Sequence, residues 1–175
     1  EQKGEEVQAP EDVARRHLTE WPSEVAFRDL CPSARSSPNA PQPTKADSIL
    51  LAANQASKVR LLEVQGSGPK RLVRFEVVRP DVTSLFDEME AEYEQALEAG
   101  QNPPADAEEQ HNYGIVERLR AGKFDFHPPT TREISVVQRD GRWTICPDFT
   151  EQARERRKRD HARQERQVRK KAKEI

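Results

Sequence analysis

The run Phe124-Asp125-Phe126-His127 is where residue types and spacing come closest to chemistry in this 175-residue chain. Asp125 and His127 stand two apart, which puts both side chains on one face of an extended segment. A carboxyl and an imidazole placed this way could share general acid–base work if burial and neighbours set their pKa values. Pro128-Pro129 follow directly and argue for a loop leading into a strand. In that setting Phe124 and Phe126 pack while Asp125 and His127 make loop hydrogen bonds, and this reading is favoured. Asp125 and His127 are nevertheless the first residues to test for catalysis, with Asp29 and His111 as further candidates.

Other chemistry is hard to place. No nucleophile elbow, zinc spacing, Walker loop or dinucleotide fingerprint is present, so no cofactor and no metal are expected. Gly66-Ser67-Gly68-Pro69-Lys70 lacks the Gly-Lys-Ser/Thr ending of a phosphate loop and reads as a hairpin turn. His17 lies beside a helical apolar stripe and reads as a packed histidine. Cys31 and Cys146 could form a disulfide if the chain is exported. Two small buried residues without a bond is the favoured expectation.

Charge is the more informative signal. Lys and Arg number 29 against 31 Asp and Glu, for a net −2, but the signs are segregated. Between positions 81 and 109 ten acidic residues occur with no Lys or Arg. Asp87, Glu88, Glu90, Glu92, Glu94 and Glu98 form the polar face of a helix there. From 151 to 175 eleven basic residues stand against five acidic ones: Arg154, Arg156, Arg157, Lys158, Arg159, Arg163, Arg166, Arg169, Lys170, Lys171 and Lys173. With no Pro or Gly and almost no apolar face beyond Val168, Ala172 and Ile175, this tail reads as one exposed basic helix laced with i,i+4 pairs. It could bind nucleic acid through phosphates, although no aromatic interleaves it for base stacking. It lacks the apolar face that inserts into a membrane surface. Docking on an acidic protein surface is preferred, either a partner or this chain's own 81–109 segment, because opposite fields of this size also speed encounter. The Arg excess, 20 to 9 Lys, suits bidentate contacts with carboxylates.

Composition bounds the rest. Apolar residues make up 34% and charged residues another 34%, so one modest core with much solvated chain is expected. No apolar run reaches the roughly 18–20 residues of a membrane span. The chain begins at Glu1 without Met, compatible with a removed signal or transit peptide, a membrane anchor or a cloning boundary, and the compartment stays open.

The elements follow from periodicity. Residues 1–9 form a polar lead-in. Pro10 opens a helix whose stripe is Val13, Ala14, His17, Leu18 and Trp21. Pro22 ends it, and Ser23 caps a short helix with Val25, Phe27 and Leu30 as its apolar contacts. Residues 31–44, with four prolines and three serines, read as a loop without helix. A short buried helix is expected over 45–55. Residues 58–64 and 71–79 alternate as a hairpin with one face in water. Residues 81–99 give the strongest helix, with Val82, Leu85, Phe86, Met89, Tyr93, Ala96 and Leu97 on its apolar stripe. A break at Asn102-Pro103-Pro104 precedes a helix over 106–121 with Tyr113, Val116 and Leu119 inward. The last hairpin spans 130–149 and turns at Asp140-Gly141, a pair suited to a type I′ turn. Trp143 and Ile145 face one way, Arg142 and Thr144 the other.

The order of helices, strand pair, helical segment and strand pair ending in Arg139-Asp140-Gly141-Arg142-Trp143-Thr144-Ile145 resembles the nuclear transport factor 2-like (NTF2-like, SnoaL-like) superfamily, a cystatin-like α+β fold. Phe27-Arg28-Asp29-Leu30-Cys31-Pro32 is similar to the second helix of its small secreted members. The resemblance covers residues 10–149. It implies a cone-shaped fold whose cavity serves catalysis in some members and only packing or protein binding in others, so fold does not choose function. The acidic segment departs from it as a helical insertion, and the basic tail is foreign to it.

The expected fold is therefore α+β: a curved antiparallel sheet of about four strands with helices packed on one face, a helical insertion at 81–122, and a protruding basic C-terminal helix. Residues 10–149 form one domain and 150–175 the tail. The expected function is that of a non-catalytic accessory or assembly module binding other protein subunits, or itself, through its charged helices. Cavity-based ligand binding or catalysis, and RNA-associated scaffolding through the tail, are the alternatives.

Overall fold

The computed structural model describes residues 8–43, 48–102 and 105–173, apart from the side chain of Glu108. Its elements are α1 (Pro10–Thr19), α2 (Glu24–Arg28), α3 (Pro32–Arg35), α4 (Ile49–Ala56), β1 (Lys58–Gln65), β2 (Lys70–Val78), α5 (Val82–Glu98), α6 (Ala107–Arg120), β3 (Thr130–Arg139), β4 (Arg142–Thr144) and α7 (Phe149–Lys173). The expected α+β architecture stands: the four strands form one curved antiparallel sheet in the order β1–β2–β3–β4.

The sheet has one dry face and one wet face. Val73, Phe75 and Val77 of β2 and Ile134 and Val136 of β3 alternate inward, and α1 lays Val13, Ala14 and Leu18 across them. Phe75 is fully buried, which is worth about 2–3 kcal/mol relative to exposure. The outer face is a charge lattice. Arg74 sits opposite Glu133 and pairs with it at 2.9 Å, reaches Glu63 at 3.4 Å, and Arg60 meets Glu76 at 3.0 Å. This is the expected hairpin with one side in water. The edge strand β1 is the exception, because Leu61 is 37% exposed beside a bulge between Leu61 and Glu63.

A second core holds the helical insertion. Ala52 and Ala53 of α4, Leu85 of α5, and Ile115, Val116 and Leu119 of α6 bury one another, with Met89 and Phe124 at the margin. The stripe expected along α5 is buried only at its start. Tyr93 and Leu97 are exposed because α5 outruns the surface that α4 and α6 offer. Tyr113 is likewise exposed, and the adjacent Ile115 takes the inward position. The Pro103-Pro104 break and the start of the expected 45–55 helix lie outside the described residues.

Several smaller expectations need correction. Residues 32–35 are helical: Pro32 occupies the first helical position, where no amide hydrogen is needed. In α2, Ser23 accepts from the Ala26 N–H as expected of a cap, but Ala26 is the buried residue and Val25 is exposed. Thr144 is buried as well as Trp143, because its hydroxyl donates to the Val137 carbonyl at 3.0 Å. The last hairpin turns at Asp140 (φ 52°) and Gly141 (φ 74°), both left-handed.

Cys31 and Cys146 are bonded, which overturns the expectation of two free thiols. Leu30 and Ile145 pair as a parallel bridge: the Cys31 N–H donates to the Ile145 carbonyl at 2.9 Å and the Ile145 N–H to the Asp29 carbonyl at 2.8 Å. Each cysteine is the next residue along, so the bridge sets the two Cα atoms 5.3 Å apart, inside the disulfide range. The bond closes a third cluster of Leu30, Cys31, Ala34 and Phe149. Trp21 stacks on Phe27 at 4.8 Å and on Phe149 at 5.8 Å between ring centroids, anchoring the root of α7.

Candidate functional site

The Phe124–His127 segment is an exposed connector. Its backbone does the joining: the Asp125 carbonyl accepts from the Asp81 N–H and the His127 N–H donates to the Arg79 carbonyl, both at 2.8 Å. Phe124 turns toward the second core, while Phe126 is partly exposed under the Lys58 ammonium, 4.7 Å from its ring centre. Asp125 lines an open cleft of about 640 Å³ with Asp81, Glu88, Arg118 and Lys123. His127 stands over the Asp81 carboxylate at 3.6 Å, about half exposed. Asp81 in turn caps α5. The Ser84 hydroxyl donates to it at 2.6 Å and the Ser84 N–H at 3.1 Å. Those two bonds, with a smaller contribution from His127, hold its carboxyl below the usual range. Asp125 and His127 are thus near one another on an open surface without the water exclusion that acid–base chemistry uses.

The other two acid–base candidates have structural roles. Asp29 is buried and gripped by Arg16 at 2.8 and 2.9 Å. The hydrogen bond raises the Arg16 pKa against the opposing effect of burial. The His111 ring lies tilted against Phe86, 5.6 Å between ring centroids.

Both charged helices form, and both are solvated. In α5, Glu88 and Glu92 pair with Arg118 of α6 at 3.6 and 2.7 Å, while Asp87, Glu90, Glu94 and Glu98 are exposed. In α7 only Phe149 is buried. Arg154, Arg156, Arg157, Lys158, Arg159, Arg163, Arg166, Arg169, Lys170, Lys171 and Lys173 all face solvent. Among the described residues, the ion pairs of the acidic face run to Arg118 and none joins α5 to α7. No ion pair among the described residues therefore docks the tail on its own chain's 81–109 segment.

A more enclosed site lies where the dry face of the sheet ends. On β2 the inward series Val73, Phe75, Val77 continues in phase to Arg79, just past the strand. On β3 the series Val136, Ile134 continues to Arg132, which pairs with Phe75. On α1, His17 follows Val13 and Ala14 on the same stripe. These three, with Asn54 of α4, Trp21 and Phe149, border a cavity of about 190 Å³. Arg79 donates to the Asn54 side-chain oxygen at 2.6 Å, and Asn54 donates to the Trp21 carbonyl at 2.8 Å. The His17 ring lies 5.0 Å from Trp21, and its Nδ1 is buried without a partner. Burial first, and then the Arg132 charge, push the His17 pKa down to about 4, with Asp29 opposing. Burial and Arg132 likewise lower the Arg79 pKa. Among the described residues, no Asp or Glu lines the cavity. His17 packs on Trp21 as its stripe implies and also lines the cavity, and Arg79, Arg132 and Asn54 join it there without any local sequence motif. The strand phase was the signal that could have found both arginines.

Among the described residues, no group of three or more His, Cys, Asp or Glu side chains is placed to hold a metal ion. Nor is any helix long and apolar enough to cross a membrane. No family model matches the chain, and no curated protein matches it. Among solved structures, the chain is similar to the crystal structure of a putative lipoprotein (ycdA) from Bacillus subtilis, with a TM-score of 0.42 and 14% identity over 75% of this chain and 39% of that one. The chain thus spans well under half the length of that protein.

Proposed function

We propose that this chain is a non-catalytic accessory or assembly module that engages other protein subunits through its charged helices. The observation that carries the reading is the free shaft of α7. Phe149 fixes its root, and the 20 residues 154–173 then extend about 30 Å with one half-buried side chain, Ala162. A helix polar on all sides gains little by packing on its own domain, and exposed pairs such as His161–Glu165, at 3.1 Å, add only a few tenths of a kcal/mol. Eleven Lys and Arg against three acidic residues over 154–173 suit a partner that presents carboxylates to arginine forks. The distal half of α5 offers the opposite sign, with Glu90, Glu94 and Glu98 around the exposed Tyr93 and Leu97. A second copy pairing α5 with α7 is the simplest partner of this chemistry. The NTF2-like assignment belongs to the same proposal, supported by the element order and by α1 crossing the concave sheet.

The test is truncation after Ala153, which keeps Phe149 and Gln152. Light scattering and co-purification should show loss of the partner or of self-association, an unchanged melting curve, and in the full chain a complex that weakens with salt. Association that survives the truncation overturns the reading. Steeply salt-dependent RNA binding by the full chain, lost with the tail, would transfer the role to nucleic acid.

The second reading, ligand binding in the cavity, is favoured by one observation: two arginines and a buried imidazole converge there without an acidic residue.

A further inference from the structure

Interiors of this size do not gather positive charge without compensation. Burying a guanidinium costs several kcal/mol unless an anion or a set of acceptors meets it. Most of the other inward or half-buried arginines obey this; Arg71 is the exception, with its Nη1 buried and unbonded among the described residues and its guanidinium over the Trp143 ring. Arg16 has Asp29, Arg118 has Glu88 and Glu92, Arg74 has Glu63 and Glu133, and Arg15 donates to the Val59 carbonyl and lies over Phe75. Arg79, half-buried, has only the neutral Asn54 amide oxygen. Arg132 lines the cavity but is exposed and so carries less of that cost; it has no hydrogen bond or ion pair among the described residues. After burial, the Arg132 charge lowers the Arg79 pKa, and the same charge presses on His17. His17 adds a ring whose Nδ1 is buried and unbonded. Three nitrogen-bearing groups from three different elements, α1, the end of β2 and β3, therefore border one cavity that no carboxylate lines among the described residues.

We propose that this cavity is a binding site for a small organic carboxylate, held by Arg79 and Arg132 with His17 beside them and its apolar body against Trp21, Leu18 and Phe149. The two strand-borne arginines stand where a planar carboxylate can take fork-like hydrogen bonds. Asn54 orients the Arg79 guanidinium through its 2.6 Å bond and is itself fixed by the Trp21 carbonyl, so the donor is held in place before a ligand arrives. The apolar wall distinguishes the site from a plain phosphate cradle. A volume of about 190 Å³ corresponds to about six waters, below the usual range of drug-sized pockets, and limits the occupant to a short acid.

The site rests on residues that the helical assembly surface does not use, so either can fail without the other. Titrating the full chain with butyrate, benzoate and inorganic phosphate, while following Trp21 fluorescence against a Trp21→Phe control and the His17 imidazole by NMR, tests it. Benzoate or butyrate should give saturable shifts. Arg132→Gln, a change at an exposed residue of the inner strand β3 that lies outside the core clusters, should weaken binding at least tenfold, and Arg79→Gln similarly. Binding undiminished in both variants overturns the assignment, as does the absence of any saturable response in a chain whose melting curve is normal. Phosphate binding with both carboxylates failing overturns the carboxylate class.

Discussion

Arg16 holds Asp29 by both carboxylate oxygens, at 2.8 and 2.9 Å, tying α1 to the segment that follows α2. The two partners are unequally buried: 25% of the Arg16 side chain is exposed and 5% of that of Asp29. Losing one partner therefore should not cost the same as losing the other. Arg16→Met strands a buried carboxylate and should cost about 3 kcal/mol. Asp29→Asn leaves a guanidinium that can turn to water and an isosteric amide in its place, and should cost about 1–2 kcal/mol. Urea unfolding of both variants checks this, and the opposite ranking would refute it.

The Cys31–Cys146 bond spans 115 residues of sequence, so most of the domain lies inside the loop it closes. Constraining an unfolded chain over that separation contributes about 3–5 kcal/mol. Cys31→Ala with Cys146→Ala should lower Tm by about 6–20 °C for a chain of this size. The loss should be felt first at the root of α7, because Phe149 shares the cluster that the bond closes. Calorimetry of the oxidised, reduced and doubly substituted chain, with hydrogen exchange at residues 149–153, measures both effects.

What could be read from the residues and what could not divide along physical lines. Strands β2 and β3, α1, and the Asp140-Gly141 turn were legible because period-2 and period-3.6 apolar patterns and a glycine turn are local signals. The exposed end of α5 was not legible. Periodicity reports which residues could face a core, and only tertiary structure says where that core stops. Helix α3 was missed because proline was weighed as a breaker at the one helical position that favours it. The disulfide was misjudged because the Leu30–Ile145 bridge that aligns the cysteines is non-local. The cavity was overlooked for a different reason. Asp125 and His127 form a motif in sequence, whereas Arg79, Arg132, His17 and Asn54 come from four separate places in the chain that the fold brings together.

The last hairpin offers a clean test of backbone conformation. Gly141 sits at φ 74° with open space where a Cβ would go. Gly141→Ala therefore meets no steric obstacle beyond its own backbone, and the left-handed conformation should cost about 1–2 kcal/mol. Asp140→Gly, at φ 52°, removes a strained Cβ while adding chain entropy, and should change stability by less than about 0.5 kcal/mol. Denaturant midpoints for the two variants decide the matter, and equal effects would contradict the turn geometry.

His17 should give the domain a distinctive acid response. Its folded pKa is depressed to about 4 from an unfolded value near 6.5. The unfolded chain then binds a proton that the folded chain refuses whenever the pH lies between those values. The stability tied to neutral His17 is fully present above pH 6.5 and is lost progressively as the pH falls toward 4, by about 2 kcal/mol near pH 5. Asp29 pulls the other way, and Arg132 reinforces the depression. Replacing His17 by Phe keeps a ring against Trp21 and removes the titrating group. The difference in unfolding free energy between the native chain and His17→Phe should therefore be constant above pH 7 and shift in favour of the variant below pH 6.5. Arg132→Gln should narrow the window by letting the His17 pKa rise. Urea titrations of the three proteins at half-unit pH steps measure this directly, and a difference that stays flat from pH 7 to pH 4.5 would mean that His17 is not held neutral in the folded state.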